Sequence, residues 1–307
     1  MSALTFAAVP ALPSILAAIG HTPLVRIHLP GMPPEVELWG KCEWLNPGGS
    51  VKDRTALSLV AEGERTGALR PGKVIVDSSS GNTAVGLALV GRAKGYAVEL
   101  VMPRSAAPGR RRLCDAYGAT IVETDALEGS DGALTRVRSM VALDPERYFY
   151  ADQYRSPANP RAHYLTTGPE IWEQTGGRLT HFVAGLGTTG TIVGTSRYLR
   201  ERSRGVRIVA VEPDQGLHGM EGLKHMASSI VPEIYDPSAH DERIPARTED
   251  AYATCAEVLA SDGLLVGHSA GAALWAAREV ARPLRRGVVV ALLPDGGERY
   301  LADGARG

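Results

Sequence analysis

The sequence predicts an α/β protein built from two doubly wound domains. Its 307 residues suit about two domains of ~150 residues each. Short, Val-rich apolar runs alternate with amphipathic helical segments along almost the whole chain. This alternation is typical of parallel sheets that are covered by helices on both faces. Hydrophobic residues make up 44% of the chain, an ordinary share that supplies the core such sheets need.

Five short apolar runs are predicted to be buried parallel strands because they are rich in Val and mostly end at Gly, Pro, Asp or Ser. They are residues 74–76, 98–101, 181–184, 206–211 and 288–293. The segments 83–94, 108–117, 191–202 and 270–280 have helical periodicity and are predicted to be helices. Residues 215–249 show no clear period, and we expect a long functional loop with short helices. Residues 153–160 contain Pro and Asn and are the candidate crossover between the domains.

Composition argues against several classes of partner. Lys and Arg total 33 against 34 Asp and Glu, so no excess of basic charge favours nucleic acid. The Arg run at 110–112 is predicted to be a solvated helix face. No stretch approaches the ~20 apolar residues of a membrane span. Three widely spaced cysteines, without a CxxC pair or zinc spacing, predict a reduced, cytoplasmic protein without disulfides or a metal site.

The first loop that could carry chemistry is residues 46–54, Asn-Pro-Gly-Gly-Ser-Val-Lys-Asp-Arg. Ser50 is a good N-cap, which places Lys52 in the first turn of a helix. The positive end of the helix dipole disfavours an ammonium there, so the pKa of Lys52 should be lowered, as Schiff-base chemistry requires. Taken alone, this loop fits a solvated surface lysine better.

The second loop, residues 77–83, follows a predicted strand with the sequence Asp-Ser-Ser-Ser-Gly-Asn-Thr. Its hydroxyl and N–H groups could bind an anion such as a carboxylate. An ordinary Ser-rich capping loop fits the same residues equally well.

The third loop, residues 185–191, has the sequence Gly-Leu-Gly-Thr-Thr-Gly-Thr and precedes a predicted helix. Backbone N–H groups and threonine hydroxyls at a helix N-terminus favour a phosphate site. The loop also matches G-x-G-x-x-G, and Glu212 ends the next strand, which is a nicotinamide dinucleotide fingerprint. The residues leave both interpretations open.

In a fourth loop, 267–271, Ser269 begins a helix either as its cap, the default interpretation, or as a ligand contact.

Together and in this order, the four loops resemble those of the fold-type II pyridoxal-phosphate family, in particular its cysteine synthase (O-acetylserine sulfhydrylase) and cystathionine β-synthase branch. The resemblance extends from Gly-His-Thr-Pro-Leu-Val at 20–25 to Pro-Asp-Gly-Gly-Glu-Arg-Tyr at 294–300, and includes 159–160 and 166–172. It implies a tryptophan synthase β-like fold of two doubly wound domains with pyridoxal 5'-phosphate in the cleft. The smaller, movable domain is expected at residues 38–151, and the larger, phosphate-binding domain at 1–37 and 152–307.

The resemblance assigns a role to each site residue. Lys52 is the catalytic Schiff-base lysine, Asn82 binds the ring hydroxyl of the cofactor, and Ser269 contacts its pyridine nitrogen. The cofactor phosphate is expected to be held by Gly187, Thr188, Thr189, Gly190 and Thr191. The substrate carboxylate is expected at Ser79, Ser80, Thr83 and Gln153, and the substrate-covering loop at Gly222.

The implied reaction is β-replacement, in which an O-activated L-serine, first of all O-acetyl-L-serine, loses its leaving group to give an aminoacrylate and sulfide adds to form L-cysteine. A serine at the pyridine nitrogen makes a weaker electron sink than an aspartate, which favours this course over transamination. The alternatives are O-phosphoserine as donor, homocysteine as nucleophile, a serine or threonine dehydratase, a binding protein that keeps the cofactor and, most remotely, an NAD-dependent dehydrogenase.

Three departures from the family pattern concern specificity. Ala84 stands where Gly is usual, and Ser79 where Thr is commoner. Residues 216–226 differ from the commonest cysteine synthases, and Lys224 within them is either a phosphate or carboxylate partner or a solvated lysine. The phosphate loop is more like that of the B-type isozymes, some of which accept larger sulfur donors or O-phosphoserine. The family suggests a homodimer, with a sulfur-carrier protein as an optional partner, and the composition predicts no nucleic-acid or membrane partner.

Overall fold

A computed structural model describes residues 11–301, and within this range the chain forms two mainly parallel sheets covered by helices. The strands are β1 Leu24–Arg26, β2 Val36–Cys42, β3 Val74–Ser78, β4 Ala97–Pro103, β5 Thr120–Thr124, β6 Tyr148–Tyr150, β7 His181–Gly185, β8 Arg207–Pro213, β9 Glu242–Ala246 and β10 Gly287–Leu293. The α-helices are α1 Lys52–Thr66, α2 Asn82–Lys94, α3 Pro108–Ala116, α4 Gly129–Leu143, α5 Ala158–Ala162, α6 Gly168–Gln174, α7 Gly190–Arg202, α8 Thr248–Asp262 and α9 His268–Ala281.

The smaller sheet has the order β5-β4-β3-β6, with every pair parallel. Helix α2 packs beside it and is buried from Thr83 to Gly91, so its sequence is apolar on all sides rather than on one stripe. Leu87, Leu100 and Ile75 lie in the core between this helix and the sheet. Both faces of the sheet are covered, since α4 packs on the cluster that contains Val76 and Val101.

The larger sheet has the order β1-β2-β10-β7-β8-β9, and only β1 runs antiparallel to its neighbour. Its centre is β10, which pairs with β2 along all seven residues and with β7 on its other side. Six of the seven β10 residues are buried, as expected of a Val- and Leu-rich strand covered on both faces. Helix α9 covers one face through a run of alanines, which allows close contact with the sheet.

The predicted doubly wound α/β architecture is confirmed, as are the five strands and four helices, with ends that shift by at most two residues. The prediction of a loop with short helices over 215–249 is wrong for its last part, where Glu242–Ala246 forms the edge strand β9 beside β8. This strand escaped prediction because only Ala246 is buried and Pro245 interrupts the pattern.

The chain passes from the larger sheet to the smaller between β2 and β3 and returns between β6 and β7. Strand β2 includes Leu38, the expected first residue of the smaller domain, yet is hydrogen-bonded into the larger sheet along its whole length. The smaller sheet therefore begins after Cys42, at β3. That the smaller unit moves stays a prediction.

The fold brings the loops together because parallel strands end on the same side of a sheet. The loops after β3, β7 and β10 all line one cavity. Among residues 11–301, Cys42, Cys114 and Cys255 are free thiols, and neither a helix long and apolar enough to cross a membrane nor a metal-binding cluster is present.

Candidate active site

The cavity at the ends of these strands has a volume of about 420 Å³ and gathers the predicted site residues. Those that line it are Lys52, Ser79, Ser80, Asn82, Thr83, Gln153, Gly187, Thr188, Thr189, Thr191, Gly222 and Ser269. Gly190 alone of the predicted set lies behind the wall, against Asn159. The four loops that were separate in sequence therefore form one site.

Lys52 is the first residue of α1 and reaches the cavity wall. Burial lowers its pKa, while the charges of Asp295 and Glu43 act in the opposite direction. The N-cap is Val51 rather than the predicted Ser50, although the Ser50 hydroxyl still accepts the Lys52 N–H at 3.2 Å. The predicted direction of the pKa shift is confirmed, with burial as its main cause.

The asparagine loop is held by side chains from other parts of the fold. Thr83 Oγ1 donates to Gln153 Oε1 at 2.6 Å, which ties together two of the residues expected to bind the substrate carboxylate. Asn82 Nδ2 donates to Asp295 Oδ2 at 2.7 Å. Ser79 and Ser80 are partly exposed at the cavity, so their hydroxyls are accessible to a ligand.

The glycine-threonine loop has the features of an anion cradle. Thr189 has φ +69°, a left-handed conformation that is rare for a residue with a side chain, and its buried Oγ1 has no hydrogen-bond partner. A Cβ on Gly187 would lie 2.3 Å from the Gly222 carbonyl oxygen, so only glycine fits there. The loop ends at the N-terminus of α7, where the helix dipole and backbone N–H groups favour an anion. These observations fit a single phosphate group.

Two buried side chains behind this loop connect it to the lysine helix. Asn159 Nδ2 donates to Thr188 Oγ1 at 3.1 Å, and Asn159 Oδ1 accepts from Thr55 at 3.3 Å. The His163 ring lies 3.3 Å from Thr191 Oγ1 and 3.4 Å from Thr55 Oγ1. Sequence reasoning missed His163, and no motif around it could have identified its role.

Glu212 has no freedom to act as the acidic residue of a dinucleotide site. Its Oε2 accepts the Met226 N–H at 2.9 Å, and its Oε1 pairs with Arg243 at 3.1 Å. The carboxylate is nearly buried, and these contacts hold the loop that follows β8 in place. The dehydrogenase alternative therefore loses the residue on which its fingerprint depends.

Two further sequence predictions need correction. Gly267, not Ser269, is the N-cap of α9, and Ser269 instead lines the cavity. Arg110 is not part of a solvated face, because its side chain is 8% exposed, pairs with Glu221 and stacks 5.3 Å from the Tyr300 ring centroid. A basic run cannot reveal this, since the partners lie more than 100 residues away.

Lys224 also lies at the cavity. Its ammonium is 5.2 Å from the Tyr154 ring centroid. Burial lowers its pKa, whereas the charge of Asp131 acts in the opposite direction. Its backbone N–H donates to the Leu186 carbonyl at 2.7 Å, which fixes the loop that carries it against the phosphate cradle. A half-buried cation at the cavity wall suits an anionic part of a substrate.

Comparison with known proteins identifies the family of this site. A model of the family described as pyridoxal-phosphate dependent enzymes matches residues 15–295. This chain belongs to that family. It is 50% identical to a cysteine synthase of Aquifex aeolicus over 295 residues, which covers 94% of this chain and 90% of the relative. It is 42% identical to cysteine synthase B of Escherichia coli, over 94% of each chain.

Among solved structures, the cysteine synthase of Entamoeba histolytica superposes with a TM-score of 0.93 at 34% identity, over 97% of this chain and 92% of that one. The predicted fold-type II architecture and the predicted pyridoxal-phosphate dependence of a cysteine synthase-type enzyme are confirmed. The dinucleotide interpretation of the glycine-threonine loop is wrong.

Proposed function

We propose that this enzyme makes L-cysteine from O-acetyl-L-serine and sulfide by β-replacement. The observation that carries the proposal is one cavity that joins a half-buried lysine whose pKa is lowered, a hydroxyl-rich loop and a phosphate cradle. The names of its relatives in Aquifex aeolicus and Escherichia coli support cysteine formation.

Lys52 would hold the cofactor covalently, and the loop Gly187–Thr191 would hold its phosphate. When bound, pyridoxal phosphate supplies an electron sink that stabilises negative charge at the substrate Cα. Asn82 would donate to the ring oxygen. Ser269 would contact the pyridine nitrogen, where a hydroxyl cannot supply a full positive charge as a carboxylic acid would.

The remaining groups act on the substrate. Ser79, Ser80, Thr83 and Gln153 would bind its carboxylate through hydroxyl and amide groups, which fixes the direction of the Cα–H bond. Lys52, with an amine whose pKa is lowered, would remove the proton from Cα. Movement of the smaller unit toward the loop that contains Gly222 would exclude water from the site.

The test follows the visible absorption of the purified protein. We expect a cofactor band that changes on addition of O-acetyl-L-serine and returns on addition of sulfide, with L-cysteine released. A cofactor band that does not change on addition of O-acetyl-L-serine would contradict the proposed donor. The assignment to the pyridoxal-phosphate dependent enzymes would be unaffected. Release of ammonia and a keto acid without a thiol would reveal a dehydratase instead.

Lys224 supports a second donor, O-phospho-L-serine, since a half-buried ammonium at the cavity wall suits a phosphate leaving group. To decide whether Lys224 serves the phosphorylated donor, kcat/KM is measured for O-acetyl-L-serine and for O-phospho-L-serine in wild type and in Lys224→Gln. A fall in kcat/KM for O-phospho-L-serine alone would show that Lys224 binds the phosphate group of this donor. Homocysteine offered in place of sulfide tests the cystathionine alternative in the same assay.

We also propose a cytoplasmic homodimer that can accept sulfur from a sulfur-carrier protein as well as free sulfide. The family resemblance supports the dimer, and sedimentation of the purified protein tests it. A thiocarboxylated carrier protein offered as the sole sulfur source tests the other suggestion.

A further inference from the structure

The segment that follows the last strand, residues 294–300, contacts three of the loops around the cavity. The Pro294 carbonyl accepts the Val51 N–H at 2.8 Å, next to Lys52. The Asp295 carbonyl accepts the Gly267 N–H at 3.0 Å, in the loop that carries Ser269. This segment therefore sits where the site loops meet, and its side chains can act on all of them.

Two of its side chains hold both ends of the Asn82 amide. Asn82 Nδ2 donates to Asp295 Oδ2 at 2.7 Å, and Asn82 Oδ1 accepts from Arg299 Nη1 at 2.8 Å. A guanidinium can only donate, so the amide oxygen must face Arg299. If the amide turned over, two donors would face each other at Arg299 and two acceptors at Asp295.

The acceptor role of Asp295 is itself fixed. The Tyr300 hydroxyl donates to the same oxygen, Asp295 Oδ2, at 2.7 Å. Burial, followed by the charge of Asp295, raises the pKa of Tyr300 above its usual range, so this hydroxyl stays protonated and remains a donor. Asp295 is 1% exposed, and its position is set by the backbone on both sides.

We propose that Asp295 and Arg299 are positioning residues that fix the orientation of the Asn82 amide, so that one Nδ2 hydrogen is kept for an oxygen of the bound cofactor. An amide has two such hydrogens, and Asp295 takes one of them. Asn82 lines the cavity and is partly accessible from it, so the second hydrogen is free to meet a ligand. The proposal rests on the cofactor of the family and is independent of which donor or nucleophile the enzyme uses.

The test is a double-mutant cycle with Asn82→Ala and Arg299→Met in the holoenzyme. The cofactor dissociation constant is measured by spectrophotometric titration, and the visible band is titrated with pH. We expect each single change to weaken cofactor binding about tenfold, and the double variant to bind no more weakly than Asn82→Ala alone. Both single variants should shift the pH titration of the band in the same direction, because both remove the same donor.

Additive losses, about a hundredfold in the double variant, would overturn the proposal. They would mean that Arg299 acts through its other partners, the Gly48 carbonyl in the lysine loop or the Glu298 carboxylate. An Arg299→Met protein with wild-type affinity and an unchanged band would overturn it equally. Arg278→Met is the matched control, since that side chain is 11% exposed and pairs with Glu257 away from the cavity, so it should change neither readout.

A second variant covers the case in which Arg299→Met does not fold. Asp295→Asn keeps the shape of the side chain but can donate as well as accept, so the Asn82 amide is no longer fixed at that end. We expect the same weakening of cofactor binding, absent from Asp295→Asn in an Asn82→Ala background. Only the cofactor dissociation constant is compared for this variant, because the change also removes a charge that acts on the pKa of Lys52. A further loss in that background would contradict the proposal.

Discussion

In the proposed mechanism Lys52 combines covalent attachment and proton transfer in one amine, so we expect its loss to affect chemistry far more than stability. The side chain makes no ion pair within 4 Å among the described residues, and its neighbours Val51 and Asp53 hold the loop through backbone and carboxylate contacts. We expect Lys52→Ala to abolish turnover while circular dichroism and thermal unfolding remain close to wild type. Multiple turnover near the wild-type rate would contradict the proposed mechanism.

His163 makes a pH-dependent contribution to stability. Burial, followed by the charges of Arg54 and Lys52, lowers its pKa to about 3. Since an unfolded histidine titrates near pH 6.5, below that value the unfolded chain binds a proton that the folded chain does not. Stability linked to His163 is therefore lost as the pH falls from about 6.5 toward 3.

The variant His163→Gln isolates this effect. Between pH 7.5 and pH 5, we expect the free energy of unfolding of wild type to fall relative to the variant by about 2 kcal/mol, at about 1.4 kcal/mol per pH unit below 6.5. Denaturant titrations of both proteins at the two pH values measure the difference in their free energies of unfolding. The contributions of the other titrating groups cancel in this difference because both proteins contain them. A difference that does not change with pH would contradict this prediction, because it would show that His163 titrates with the same pKa in the folded and the unfolded protein.

At the scale of single residues, sequence reasoning located those that lie in loops with a recognisable order of types. Lys52, Asn82 and the glycine-threonine loop were predicted and lie at one cavity. Asp295 and His163 were not assigned roles, because their importance depends on partners 213 and 28 residues away in the chain. Nothing local in a sequence encodes such contacts.

Among the elements, α7 and the loop before it depend most on tight packing. A Cβ on Gly190 would lie 1.9 Å from Asn159 Oδ1, and Asn159 cannot move away because it also bonds to Thr188 and to the Gln153 carbonyl. We expect Gly190→Ala to displace the cradle and weaken cofactor binding at least tenfold, as measured by dialysis of the holoenzyme. Gly109→Ala in α3 is the control, since a Cβ there meets nothing within 4 Å and binding should stay unchanged.

Elements were predictable where a strand or helix is buried on all sides. The central strands β3, β7 and β10 are apolar runs, and their helices follow directly. Strand β5 has no fully buried residue and β9 has one, so neither produces the apolar run that marked the others. Their place is set by pairing with β4 and β8, which is tertiary information.

Across the whole molecule, Arg110 joins the two halves at the mouth of the cavity. It belongs to α3, beside the smaller sheet, whereas Glu221 and Tyr300 follow strands of the larger sheet. We expect Glu221→Gln to raise KM for the amino-acid substrate several-fold with little change in kcat, because the closed form that we propose would lose an ion pair and be less populated. Steady-state kinetics measure this.

The matched control for this prediction is Glu123→Gln, which removes the partner of the neighbouring Arg111 within the smaller unit. Its KM should equal that of wild type. Equal effects from the two variants would show that Glu221 contributes only general surface charge.

The central position of β10 has a consequence for how the chain is made. Strands β1 and β2 precede the smaller sheet in the chain, but within residues 11–301 they join the larger sheet only through β10, the last strand of that range. The smaller sheet, in contrast, is contiguous from Val74 to Tyr150 and can form while synthesis continues. We therefore expect ribosome-bound chains that end before Gly287 to contain a folded smaller sheet, two separate parts of the larger one and a lysine that does not retain cofactor. Cofactor should be retained only once β10 has been made.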